Sequence, residues 1–186
     1  PTGTGYFVLT SGAWDGNLGG LSGANAKCLS DLTANDWMYK SDAQSRGLLD
    51  AAHVKAWLIS YDSSNNAMAG ITYTFAVSGD ATKGGATFVT DSNGLGPGNA
   101  ENWSGTNYFD GYKEYWTGRD VGGTATLWGT GLFDADSMCY DSGGWTTNGS
   151  WRKGRQGISS ATNKTRFNHS QPTCDQTRRL VCFVHP

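Results

Sequence analysis

DGNLGGLSGANAKC occupies residues 15–28 and, with Gly12 just upstream, sets five glycines ahead of a cysteine. A short apolar run, YFVLT at residues 6–10, precedes it. Ala26, Leu29 and Leu32 follow at helical spacing behind Ser22, a residue type suited to an N-cap. Strand, glycine turn, helix is also the order of a phosphate-binding loop. The chemistry of such a loop is missing, because no Gly-Lys-Ser/Thr follows the glycines and the first basic residue, Lys27, lies in the helix beside Cys28. The glycines therefore read as a tight turn that packs a helix start against a strand.

Further along, SDAQSRGLLDAAHV (41–54) carries a second helix that runs into VKAWLIS (54–60), an apolar segment read as a strand. Beyond it come ITYTFAVSG (71–79), GATFVT (85–90), KEYWTGR (113–119), TATLWG (124–129), SMCYDSGGW (137–145) and RRLVCFVH (178–185), short β-prone runs bounded by Gly, Asp or Asn. They show no fixed period, which excludes a repeat array. Between them lies TDSNGLGPGNAENWSGTNYFDGY (90–112), longer than an ordinary loop and rich in aromatic residues. The pattern predicts an α+β, mostly β domain with its helices in the first third.

A chain of 186 residues suits one domain with a proper core. Residues 1–5, PTGTG, read as the end of a linker and residues 6–186 as a single terminal domain of something longer. Charged residues make up 16%, with 14 basic against 16 acidic, so no strong field draws in nucleic acid. No apolar run is long enough to insert into a membrane. The four cysteines, Cys28, Cys139, Cys174 and Cys182, lack Cys-x-x-Cys spacing and allow three disulfide pairings, a framework that belongs outside the cytoplasm.

FVLTSGAWDGNLGGLSGANAKC (7–28), YWTG (115–118) and the closing RRLVCFV (178–184) resemble the endostatin-like branch of the C-type lectin-like fold, a bacterial and phage family of surface domains. Gly-Gly-Leu-x-Gly-Ala-x-x-x-Cys (19–28) and Cys-Phe-Val (182–184) carry most of that resemblance, which extends over nearly the whole chain. It implies mostly antiparallel β structure, two helices after the first strand, a long irregular loop region, and pairing of the terminal strands. It also implies nested disulfides, Cys28 with Cys182 and Cys139 with Cys174.

Sugar-binding members of the wider superfamily hold calcium through Glu-Pro-Asn or Gln-Pro-Asp and a following Trp-Asn-Asp. Here Gln171-Pro172 is followed by Thr173, and no Trp-Asn-Asp occurs. No cofactor is expected; the oxygen-rich group suited to a hard cation such as calcium is Asp134, Asp136 and Asp141, for which solvated loop carboxylates are the plainer reading. His53, His169 and His185 have no zinc-ligand spacing. No Gly-x-Ser-x-Gly elbow or His-Glu-x-x-His helix is present, and Glu101 and Glu114 are the only glutamates, so a glycosidase would need one of them facing a second carboxylate in a cleft. The chain is expected not to be an enzyme.

The loop segments instead carry rings beside polar groups: Trp103, Tyr108, Phe109 and Tyr112 in one, and Tyr140, Trp145, Trp151, Arg152, Arg155, Asn168 and His169 around the later cysteines. Flat rings give contact area at low entropic cost, and neighbouring Asn and Arg give hydrogen bonds. Trp116 and Trp128, in strand-like text, read as core, and Trp103 and Trp145 are open to the same reading because tryptophans often plug irregular loop folds. The expected function is a non-enzymatic extracellular recognition domain, on a cell surface or virion, that binds a glycan or protein receptor through its loop face. The resemblance adds an adhesin or phage tail fibre tip as the setting. The alternative is a structural decoration or self-associating surface unit. Asn102, Asn148, Asn163 and Asn168 each begin an Asn-x-Ser/Thr sequon, which marks exposed loops where the host glycosylates.

Overall fold

The computed structural model describes residues 4–60, 65, 67–90, 113–118, 137–159 and 169–186. In chain order these form β1 (Thr4–Leu9), α1 (Gly20–Ala34), α2 (Lys40–Ser45), β2 (Val54–Ala56), β3 (Thr72–Val77), β4 (Asp80–Val89), β5 (Glu114–Trp116), β6 (Gln156–Ile158) and β7 (Val181–Val184). The architecture is mixed α+β: a five-stranded sheet in the order β2-β7-β1-β3-β4, and a two-stranded sheet of β5 and β6.

β1 is the central strand, and its sequence shows why. Phe7, Val8 and Leu9 are all fully buried, a continuous apolar run of the kind that both faces of a covered sheet require. Alternation sends Tyr6 and Val8 to the face packed by Ala24, Cys28 and Leu32 of α1. It sends Phe7 and Leu9 to the opposite face. There the Phe7 ring lies 5.0–5.4 Å from those of Trp57, Phe75, Phe88 and Phe183, an aromatic cluster with edge-on and tilted contacts.

β1 pairs antiparallel with β7 (Tyr6 opposite Val184) and parallel with β3 (Thr4 opposite Thr72). The remaining pairs, β2 with β7, β3 with β4 and β5 with β6, are antiparallel. The parallel pair needs a crossover, and α1, α2 and β2 lie within it.

Several expectations shift. Thr4 and Gly5 belong to the sheet, not to a linker, because β3 supplies them with ladder partners in Thr72 and Tyr73. α1 begins at Gly20 rather than behind Ser22: Gly19 and Gly20 both adopt left-handed backbone, with φ of 78° and 71°, and Gly19 stands at the N-cap. The strand in 54–60 ends at Ala56. The run 137–145 is a turn with single bridges instead of a strand, Met138 pairing with Gly154 alone. TATLWG (124–129) and most of 90–112 lie outside the described residues.

Candidate functional site

The loop scaffold is built around two disulfides, Cys28–Cys182 and Cys139–Cys174. The first ties α1 to β7, and the second joins the turn at 137–140 to the segment before β7. The glycine stretch takes its meaning from the second bridge. A Cβ at Gly16 would stand 2.2 Å from Cys139 Sγ and 2.8 Å from Cys174 Cβ, so only glycine lets this backbone lie on the disulfide. Gly16 N–H donates to the Cys174 carbonyl at 2.7 Å. Upstream, the buried Asp31 carboxylate of α1 accepts the amides of Ser11 (3.1 Å) and Gly12 (2.7 Å). An anion that would have marked a phosphate loop is replaced by the protein's own carboxylate.

Trp145, expected among the ligand-contacting rings, is core instead. It is fully buried, its indole N–H donates to the Ile59 carbonyl at 2.7 Å, and its ring lies 5.5 Å from that of Trp116. A buried indole needs such an acceptor, and the tertiary contact that provides it comes from 86 residues away. Trp116 is core as expected, its N–H donating to the Trp14 carbonyl at 2.9 Å.

Trp151 is the opposite case, with 73% of its surface exposed. It occupies the turn closed by Arg152 N–H donating to the Gly149 carbonyl at 3.1 Å. A Cβ at Gly149 would sit about 2.5 Å from the indole, so the ring rests against bare backbone at that point. Around the same covalently braced segment, Tyr140, Arg152 and Arg155 are half-buried and Asp141 and His169 are exposed. Arg155 Nη2 donates to Ser137 Oγ at 3.1 Å. His169 N–H donates to the Gln156 carbonyl at 2.8 Å, which leaves the imidazole at the surface. Trp103, Tyr108, Phe109, Tyr112, Asn168, Asp134 and Asp136, and the glutamate Glu101, lie outside the described residues.

Among the described residues no group of three His, Cys, Asp or Glu side chains converges as a metal site would require. Glu114 is held by Arg178, with Nε 3.3 Å from Oε2, and accepts Gln156 Nε2 at 2.9 Å. The strongly shifted titratable groups stand elsewhere, in structural contacts. Burial, then the bond to Asp42, raises the Tyr6 pKa to about 12, while that same bond and Arg46 lower Asp42. Burial raises Tyr73 to about 12 and lowers its partner His185 to about 4. No sequence signal singled out Asp31 or Gly149, because their roles depend on where distant or turning backbone comes to rest.

Compared with known proteins, the chain matches no family model and none of the curated proteins. No helix among the described residues is long and apolar enough to cross a membrane. Two disulfides fit a secreted or extracellular protein.

Proposed function

We propose that the chain is a C-type lectin-like, endostatin-like recognition domain that binds a cell-surface glycan or receptor through the loop segments braced by Cys139–Cys174, without catalysis. The observation that carries this reading is Trp151: one tryptophan that is 73% exposed and rests on Gly149, in a protein whose other described large rings are mostly interior. An indole with a solvent-facing surface is suited to stacking on the apolar face of a sugar or on a receptor side chain; Arg152 follows it in sequence, and Tyr140 follows Cys139, whose amide donates to the Lys153 carbonyl at 2.9 Å. Support for the fold assignment comes from the antiparallel pairing of β1 with β7, the two helices after β1 and the nested disulfides.

The test is binding of the oxidised domain to an array of microbial surface glycans, with calcium and again with chelator. A specific hit that Trp151→Ala removes is the expected result; silence in both conditions removes glycans as the ligand class. The alternative of a self-associating structural unit draws on β4, a ten-residue edge strand of the larger sheet with Val89 62% exposed. Sedimentation as a dimer or larger at micromolar concentration would favour it.

A further inference from the structure

Arg178 and Arg179, read in the sequence as part of the β-prone run RRLVCFVH, line a shallow groove of about 290 Å³ together with Ala13, Lys113, Glu114 and Thr177. Its charges are unevenly matched. Glu114 compensates Arg178, whose Nε also donates to Gln156 Oε1 and whose guanidinium carbon lies 5.8 Å over the Trp116 ring. Arg179 and the exposed Lys113 form no ion pair among the described residues. The described lining therefore carries an excess of positive charge in a chain whose net charge is −2.

Arg179 is also held in place. Its Nη1 donates to the Thr10 carbonyl at 2.5 Å, and Thr10 Oγ1 in turn accepts the Leu180 amide at 2.9 Å. A guanidinium fixed in this way loses little freedom when it takes up a ligand. The planar fork suits a carboxylate, and the Glu114 carboxylate in the same groove disfavours a dense dianion such as phosphate. Thr177, exposed at the rim, offers a hydroxyl. The volume is at the small end for ligand clefts, enough for about one ring.

We infer that this groove binds the carboxylate of an acidic sugar, with Arg179 and Lys113 taking the carboxylate and Thr177 a ring hydroxyl. The inference rests on the recognition reading above and names a ligand class for it.

The experiment is titration of the ¹⁵N-labelled, oxidised protein with methyl β-D-glucuronide, methyl β-D-glucoside and acetate, followed by amide shifts. The glucuronide is expected to move the amides of Ala13, Lys113 and Arg179, with acetate at least tenfold weaker and the glucoside without effect. Lys113→Glu, at an exposed position that leaves the fold intact, is expected to weaken the glucuronide about tenfold or more, and Arg179→Gln to remove it. Equal binding of the glucoside, acetate binding as tight as the glucuronide, or an unchanged affinity in Lys113→Glu each overturns the inference. An array hit that Trp151→Ala removes but Lys113→Glu leaves untouched keeps the recognition reading and overturns the groove. A groove that binds glucuronide while Trp151→Ala changes no glycan signal upholds the inference and removes Trp151 from the recognition surface.

Discussion

The phenol oxygen of Tyr73 lies 2.8 Å from Nδ1 of His185, a hydrogen bond in which the phenol donates when Nδ1 carries no proton, and the same oxygen accepts the Met68 amide at 3.0 Å. This arrangement suits a neutral imidazole. Burial, with the positive charges of Lys55 and His53 nearby, lowers the His185 pKa from 6.5 to about 4. The unfolded chain takes up a proton below pH 6.5 and the folded one only near 4, so stability is full above 6.5 and is lost as pH falls towards 4. The loss amounts to at most about 3 kcal/mol. Urea melts between pH 7 and 4 should show it, and His185→Gln, which keeps an acceptor, should flatten the profile over that window. A slope unchanged in the variant would assign the loss to another group.

The two disulfides close loops of very different length, 154 and 35 residues. On the chain-entropy model they are worth about 5 and about 4 kcal/mol. Replacing Cys28 and Cys182 together by alanine should therefore lower Tm more than replacing Cys139 and Cys174. Calorimetry of the two double variants checks the order.

Two tryptophans six residues apart should respond in opposite ways. Trp145→Ala empties a wholly buried site and leaves the Ile59 carbonyl unpaired, at a cost of about 3–5 kcal/mol. Trp151→Ala should change stability by less than about 0.5 kcal/mol and act on binding alone. Denaturation and array binding of the same pair separate the roles.

Gly16→Ala should disturb the loop scaffold rather than the sheet. The added methyl meets the Cys139–Cys174 bridge, which cannot move aside as a flexible side chain can. We expect a loss of about 1–3 kcal/mol, in the range of an overpacked core, and faster reduction of that disulfide by dithiothreitol while Cys28–Cys182 keeps its wild-type rate. Asp31→Ala should cost about 1–3 kcal/mol as well, through two amides left without their acceptor.

How far these features were legible in the sequence differs from residue to residue. YFVLT and VCFV announce β1 and β7 because a short apolar run is a local signal, whereas the Ala26/Leu29/Leu32 spacing announces a helix but not its inner face: Ala26 is exposed and Leu29 half-buried, and α1 buries Ala24, Cys28, Asp31 and Leu32. β6 does not announce itself: QGI is three residues long and becomes a strand only because Glu114–Trp116 lies alongside it. The parallel register of β1 with β3 is equally silent, since Thr72–Val77 has the same composition whichever way it pairs. Trp145 and Trp151 look alike as text. A distant carbonyl, Ile59, draws one inward, and the turn at Gly149 holds the other out. Lys113 and Arg179 meet in one groove although 66 positions separate them, and no spacing rule reaches that far.

The central place of β1 bears on how the molecule comes to be made. Both of its neighbours arrive later, β3 from residues 72–77 and β7 from residues 181–184. During synthesis β1 precedes the other strands of its sheet and has one flank unfilled until residues 181–184 have followed. The nascent domain thus carries an open, apolar strand edge until Val181–Val184 have been made, a period in which pairing with a neighbouring chain competes with waiting. Correct closure and the Cys28–Cys182 bond then come together, because the strand that fills the gap brings the second sulfur with it.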